Sequence, residues 1–244
     1  ILMLEKGKDI YSRVCPGVKK GIGCRLCSPC NLVCGWGGAG AYSDGKLTLN
    51  PDVGGRLKEY IGVERTEELI RYVDDNYARF GRSDRVYGLG DEVEETGRRA
   101  ILADLHLTPM VVRHMGTEHA RVVMARMRDF LSGRVEVRMG EVVKEIMTAD
   151  GAVKGVITEG GVQYLCDYLI VAPGREGADW LVHEAGRLGL TLETNPIDIG
   201  VRVEVPEAVL REITDALYEC KLEYYSESFD DRVRTFCMCP SGEV

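Results

Sequence analysis

Residues 135–174 read VEVRMGEVVKEIMTADGAVKGVITEGGVQYLCDYLIVAPG, and this stretch decides the fold class. Segments 135–139, 141–149, 153–159 and 162–164 alternate apolar and polar residues as half-buried strands do. Asp150-Gly151 and Gly160-Gly161 fall between them and predict hairpin turns, whose central residues need positive φ. The run 168–172 (YLIVA) then breaks the alternation. It predicts a strand buried on both faces, ending at Pro173-Gly174.

Working outward from that run, short strands followed by a buried strand and a small-residue turn suit a sheet that caps a dinucleotide fold. Ala172 and Gly174 would let the backbone come close to a bound cofactor. Downstream, 178–188 predicts a helix, 200–205 a strand, 207–217 a helix and 221–225 a strand. Upstream, 117–131 predicts a helix with Thr117 as cap and Gly133 just past its end. Leu69, Ile70, Val73 and Tyr77 share one face of a helix over 65–80, and 99–107 predicts another that stops before Pro109. The span 51–131 therefore reads as a mostly helical insertion. The charged run 91–99 reads as a solvated helix face.

At the start of the chain, 1–5 (ILMLE) reads as a short buried strand ending in an acid. An acid at the C-terminal end of a parallel strand can accept hydrogen bonds from ribose hydroxyls, about 20 residues beyond a glycine-rich turn; by itself the run reads first as a strand end with a solvated acid. Glu5 stands too early for that turn to lie within the chain, and there is no initiator Met. The chain is thus expected to begin inside its fold. Residues 35–45 (GWGGAGAYSDG) form a glycine-rich loop, and its Ser-Asp-Gly-Lys end adds polar chemistry that a linker does not need. Trp36 and Tyr42 flank the loop and could shield a bound cofactor, with core packing the first reading. His114 and His119 bracket the start of a helix, where either could be a general acid or base, and read first as polar contacts there.

The 244 residues carry a net charge of −8, which argues against a nucleic-acid partner. No apolar run approaches the roughly 20 residues of a membrane span, and no signal peptide is visible. A cytoplasmic location is expected, and there nine cysteines point to metal or redox chemistry rather than to disulfides. Cys24, Cys27, Cys30 and Cys34 are spaced C-x2-C-x2-C-x3-C, as in bacterial ferredoxins, but Gly35 follows where Pro is usual. Cys15 offers an alternative fourth thiolate to Cys24, Cys27 and Cys30, and that set suits structural zinc equally well. An exchange-active Cys27/Cys30 pair and unligated thiols stay open beside the metal reading. Cys237 and Cys239 are too close for an ordinary disulfide loop.

LMLEKG, GWGGAGAYSDGKL, HMGTEHAR, YLIVAPGR, IGVRVEVP and TFCMCPSG occur in that order. Together they resemble a family of uncharacterised FAD-dependent dehydrogenases, distantly similar to glutathione-reductase-type flavoproteins, over nearly the whole chain. The resemblance implies an α/β fold: an incomplete FAD/NAD(P)-binding Rossmann-like domain (1–50 and 132–195), the insertion (51–131), and the start of a second α+β domain (196–244). It implies that Glu5, with Lys6 beside it, is the ribose-binding acid. Gly37, Gly38, Ala39, Gly40, Ser43, Asp44 and Gly45 match the loop beside the pyrophosphate and flavin. Val143 matches a backbone contact to adenine, and Ala172 and Gly174 the turn against the cofactor. TFCMCP implies a place near substrate or flavin, while the residues alone read equally as two buried thiols on a strand. The family's opening GxGxxG is missing, and the chain stops after Cys239-Pro240, where the family continues. The function implied is an FAD-dependent oxidoreductase acting on a small-molecule substrate, with NAD(P)H or another electron donor, and with zinc or an iron–sulfur cluster on the cysteines. The alternative is a non-catalytic zinc-binding structural or interaction module on a degenerate flavoprotein fold.

Overall fold

In chain order, the elements of the computed structural model are β1 (Leu2–Glu5), α1 (Pro16–Lys20), a 3-10 helix (Gly38–Tyr42), β2 (Lys46–Thr48), α2 (Leu57–Ile61), α3 (Val63–Arg79), β3 (Val86–Tyr87) and α4 (Asp91–Leu102). There follow β4 (His106–Thr108), β5 (Val112–His114), α5 (Thr117–Leu131), β6 (Glu136–Met139), β7 (Val143–Ala149), β8 (Ala152–Thr158) and β9 (Gln163–Leu165). The last are α6 (Ala178–Arg187), α7 (Glu207–Leu217), β10 (Lys221–Ser226) and β11 (Asp231–Arg234). The structure describes residues 1–53, 55–194 and 197–240. The expected domain boundary at 195/196 lies outside the described residues. The chain divides into two compact units, Ile1–Gly45 with Gly116–Asp198, and Lys46–Met115 with Ile199–Val244. Both mix helices and small sheets, so the architecture is α/β. Among the described residues no helix is long and apolar enough to cross a membrane.

In the first unit β1 and β6 pair in parallel, from Leu2 opposite Glu136 to Glu5 opposite Met139. Beyond them β7, β8 and β9 form an antiparallel meander. Its first hairpin closes at Ala149 opposite Ala152. Asp150 (φ 53°) and Gly151 (φ 74°) supply the two left-handed residues that such a turn requires. Helix α6 is held to β7 by Glu184, buried to 1% exposure, which accepts the Ile146 N–H at 2.7 Å and Arg187 Nη2 at 2.7 Å. The Arg187 guanidinium and then the Ile146 N–H hold its carboxyl below the usual carboxylate range, against the opposite pull of burial. The core of this unit joins Ile10, Trp36 and Ala41 to Met124, Ala125 and Leu131 of α5 and to Val137 and Met139 of β6.

The second unit carries two antiparallel sheets, β2-β5-β3 and β11-β10-β4. Its core gathers Ala100 from α4, Leu107 from β4, Leu217 from α7, and Cys220. Asp74 of α3 ties two segments together: its Oδ2 accepts Arg82 Nη2 at 3.1 Å and its Oδ1 accepts Arg113 Nε at 2.9 Å.

Three expectations are corrected. Residues 168–172 form no strand, and Tyr168 and Ile170 are each 92% exposed. Residues 200–205 form none either, with Val201 and Val203 exposed. In both, apolar composition meets the requirement for burial, but a strand also needs a neighbouring backbone to pair with. Among the described residues neither run has one. The helix expected over 99–107 is instead the end of α4 followed by β4. Leu107 alone of the strand is buried there, and β4 finds its partner in β10, more than a hundred residues onward. The span 51–131 accordingly holds β3, β4 and β5 besides its helices, and α5 falls in the first unit.

Candidate functional site

Strand β1 carries Glu5 to its C-terminal end, where the chain turns through Gly7. Glu5 Oε1 accepts the Gly7 N–H at 2.7 Å and the Gly35 N–H at 3.1 Å, and the Cys34 thiol points to it at 3.7 Å. Oε2 takes part in none of these bonds. The carboxylate therefore pins the strand end to the start of the glycine-rich loop. The two backbones meet almost in contact: a Cβ on Gly7 would lie 2.4 Å from Gly35 N. The chain leaving β6 closes the same locus, since the Glu141 N–H donates to the Glu5 carbonyl at 3.1 Å and the Gly140 N–H to Gly7 O at 3.1 Å. Lys6 Nζ lies 3.5 Å from Glu176 Oε1, which brings the turn after Gly174 to the same strand end.

The structure thus brings Glu5, Lys6 and the glycine loop together at one strand end, with the Gly174 turn reached through Glu176. Val143 stands two residues beyond Glu141, opening β7 opposite Thr158. Ala172 is exposed, and Gly174 (φ 63°) has open space where a side chain would start. Gly7, Gly35 and Glu176 were missed from the sequence. A glycine two residues after the acid, and another opening the glycine run, were usable signals for the first two. Glu176 carried none.

The loop itself is wound inward. Gly37 (φ 79°) caps the 3-10 helix, and the Gly38 N–H donates to Gly35 O at 2.8 Å. The Ala41 N–H donates to Gly37 O at 3.1 Å, the Ser43 N–H to Gly40 O at 3.3 Å, and the Gly45 N–H to Ser43 Oγ at 3.1 Å. The Asp44 carbonyl accepts the Gly116 N–H at 2.8 Å, which fixes the loop to the start of α5. These N–H groups are engaged within the protein. What the loop presents outward is shape: Ala39 and Gly40 are exposed, and nothing lies within 4 Å of where a Cβ on Gly38 or Gly40 would be. For a dinucleotide, the strand-end acid and this open surface fit, while the N–H groups of Gly38, Ala41, Ser43 and Gly45 are not donors to it.

Arg13, with no exposed surface, organises the segment in front of the loop. Its Nε donates to Asn31 O at 3.0 Å, Nη2 to Leu32 O at 3.0 Å, and Nη1 to Trp36 O. The Tyr42 hydroxyl donates to the Arg13 carbonyl, and its ring lies under the guanidinium at 4.9 Å. Trp36 is core, as expected, and its Nε1 donates to Met124 O at 3.0 Å.

The five clustered cysteines separate. Cys34 is buried against Glu5, while Cys15, Cys24, Cys27 and Cys30 line a cavity of about 380 Å³. Burial, then the charges of Glu5 and Glu176, push the Cys34 thiol up to about 11. Burial alone pushes Cys220 up to about 11. Because the thiolate is the reactive form, Cys34 and Cys220 are expected to resist alkylation of the folded chain at about pH 8. In the metal-free chain, exposed Cys24, Cys27, Cys237 and Cys239 should react at least about a hundredfold faster. Peptide mapping of the alkylated chain checks this, and labelling of Cys34 at the rate of Cys24 would contradict it.

In the second unit Cys237 and Cys239 lie outside any strand, with Lys46 Nζ 3.9 Å from Cys237 Sγ. His114 is buried, its ring stacked on Tyr218 at 3.5 Å.

No protein-family profile matches the chain. A protein of Clostridium beijerinckii described as an uncharacterized protein is 26% identical over 257 aligned positions, covering all of this chain and 40% of that protein. The chain therefore spans well under half the length of the curated relative that it matches. Among solved structures, a thermally stable mutant of fructosyl peptide oxidase overlaps 55% of this chain and 40% of its own, with 10% identity and a TM-score of 0.31. An L-amino acid deaminase from Proteus vulgaris overlaps 78% of this chain and 49% of its own, with 16% identity and a TM-score of 0.29. Both scores lie below the level at which two chains share a fold.

Proposed function

We propose that this chain is part of an FAD-dependent oxidoreductase acting on a small-molecule substrate, with NAD(P)H or another donor supplying electrons. The observation that carries this reading is the end of β1. There an acid at the C-terminus of a parallel strand lies against a glycine-rich loop, with one carboxylate oxygen outside the internal hydrogen bonds. In a Rossmann-like domain built on the β1–β6 pair, Glu5 Oε2 would accept the ribose hydroxyls of the cofactor's adenosine half. Lys6 beside it adds positive charge, and the open surface over Gly38, Gly40 and Gly174 admits close approach of a bulky ligand. On this reading the backbone of Val143, which opens β7, would meet the adenine. When bound, FAD would supply the electron-transfer chemistry, and the chain's own residues would supply position and exclusion of water.

The test is flavin binding by the purified chain and its Glu5→Gln variant. Glutamine keeps an oxygen for the Gly7 and Gly35 N–H groups but removes the charge that strengthens the ribose bonds. The wild-type chain is expected to quench the fluorescence of added FAD, and the variant to bind about tenfold more weakly with unchanged circular dichroism. A chain that neither carries flavin nor quenches FAD at about 100 μM, or a variant that binds equally well, overturns the reading.

A further inference from the structure

Four thiols line one loop that runs from the start of α1 to Arg13's carbonyl partners. Cys15 caps the start of α1, and Gly21 (φ 62°) ends that helix and turns the chain back on it. The return is tight: the Ile22 N–H donates to Gly17 O at 3.0 Å, and a Cβ on buried Gly17 would lie 2.8 Å from Gly23 O. Cys24 is thereby carried back beside the helix that Cys15 begins. Asn31 Nδ2 donates to Val14 O at 2.8 Å, and Arg13 Nε to Asn31 O at 3.0 Å. These two bonds close the loop at its neck, with Cys15 just inside one end and Cys30 just inside the other.

The result is one cavity of about 380 Å³ lined by Cys15, Cys24, Cys27 and Cys30, with Arg25 among its walls and Cys34 outside it. The Leu26 N–H points at Cys24 Sγ at 3.4 Å, inside the Cys24-x-x-Cys27 segment. The sulfurs do not yet converge. Among the described residues no three His, Cys, Asp or Glu side chains lie close enough to share one ion. Residues 22–27 have no regular structure, and Cys24 and Cys27 are exposed, so the loop has room to draw in.

We propose that Cys15, Cys24, Cys27 and Cys30 bind one thiophilic metal centre, a Zn²⁺ ion or a [4Fe–4S] cluster, onto which this loop closes. Four thiolates are the complete ligand set of either centre. Metal binding and loop ordering are then one event, as in small metal-organised modules. Cys34, whose spacing alone would make it the fourth ligand, belongs to the Glu5 clamp instead. The site stands apart from flavin binding, and either can fail without the other.

The chain is purified anaerobically and incubated either with Zn²⁺ or with ferrous iron plus sulfide, and bound metal and sulfide are measured after desalting. A zinc site gives about one Zn²⁺ per chain, and its Co²⁺ form shows thiolate-to-metal charge-transfer absorption. A cluster site gives about four iron and four sulfide with a broad brown absorption. In either arm Cys15→Ser, Cys24→Ser, Cys27→Ser and Cys30→Ser are each expected to lower metal content at least about tenfold, while Cys34→Ser keeps it. Alkylation of the wild-type chain is a readout independent of variant folding, since bound metal should protect these four cysteines and leave Cys237 and Cys239 reactive. Less than about 0.1 metal per chain in both arms overturns the proposal. So does full retention in Cys15→Ser, or loss in Cys34→Ser equal to that in Cys24→Ser.

Discussion

Gly35→Ala is expected to destabilise the first unit by at least about 3 kcal/mol, read as a lowered midpoint in urea. Gly35 has φ 115°, where a side chain is strained whatever space surrounds it. The space is also filled: a Cβ there would lie 2.5 Å from Lys8 O and 2.6 Å from Arg13 Cδ. The backbone must shift, or Arg13 must give up its carbonyls. A shift separates Gly35 N from Glu5 and opens the clamp at the end of β1. The companion variant is Gly40→Ala, also in the glycine-rich loop, where nothing lies within 4 Å and no positive φ is required. It should change stability by no more than about 0.5 kcal/mol. Equal effects at the two positions would mean that the loop is not packed against β1.

Arg13→Ala is expected to cost about 3–5 kcal/mol. Truncation leaves the carbonyls of Asn31, Leu32 and Trp36 without their donor, and a void where the side chain was completely buried. Arg13→Lys should recover only part of the loss, because an ammonium cannot reach three carbonyls spread along a planar fork. Because Arg13 also closes the neck of the cysteine loop, the proposed metal centre there predicts that the same variants weaken metal retention without touching a thiol. Wild-type stability in Arg13→Lys, measured by urea denaturation, would show that the fork geometry is not what counts.

Gly35 and Arg13 also mark where sequence reading stopped. Each is ordinary in composition, one more glycine in a glycine run and one more arginine before a Cys-Pro. Their importance comes from partners up to thirty residues away, which no local pattern encodes. Glu5 was legible as a strand-end acid, because a short apolar run ending in Glu has few other readings. That its carboxylate also holds Gly7, Gly35 and Cys34 was not. The cysteine spacing allowed two four-thiolate sets; in the fold Cys34 is buried beside Glu5, while Cys15, Cys24, Cys27 and Cys30 line one cavity.

What the sequence determined by itself was local. Helices α5 and α7 fall on the residues that their periodicity predicts, and the hairpin between β7 and β8 turns at Asp150-Gly151. In each case the signal and the bonds that it specifies lie within a few residues of each other. Only the tertiary structure decided which apolar runs become strands. Residues 136–139 and 168–172 have similar claims to a sheet, yet the first pairs with β1 and the second stands exposed. A strand exists only where another backbone supplies its hydrogen bonds. For β1 and β6 that partner lies more than 130 residues away along the chain, beyond the reach of any reading of composition and period.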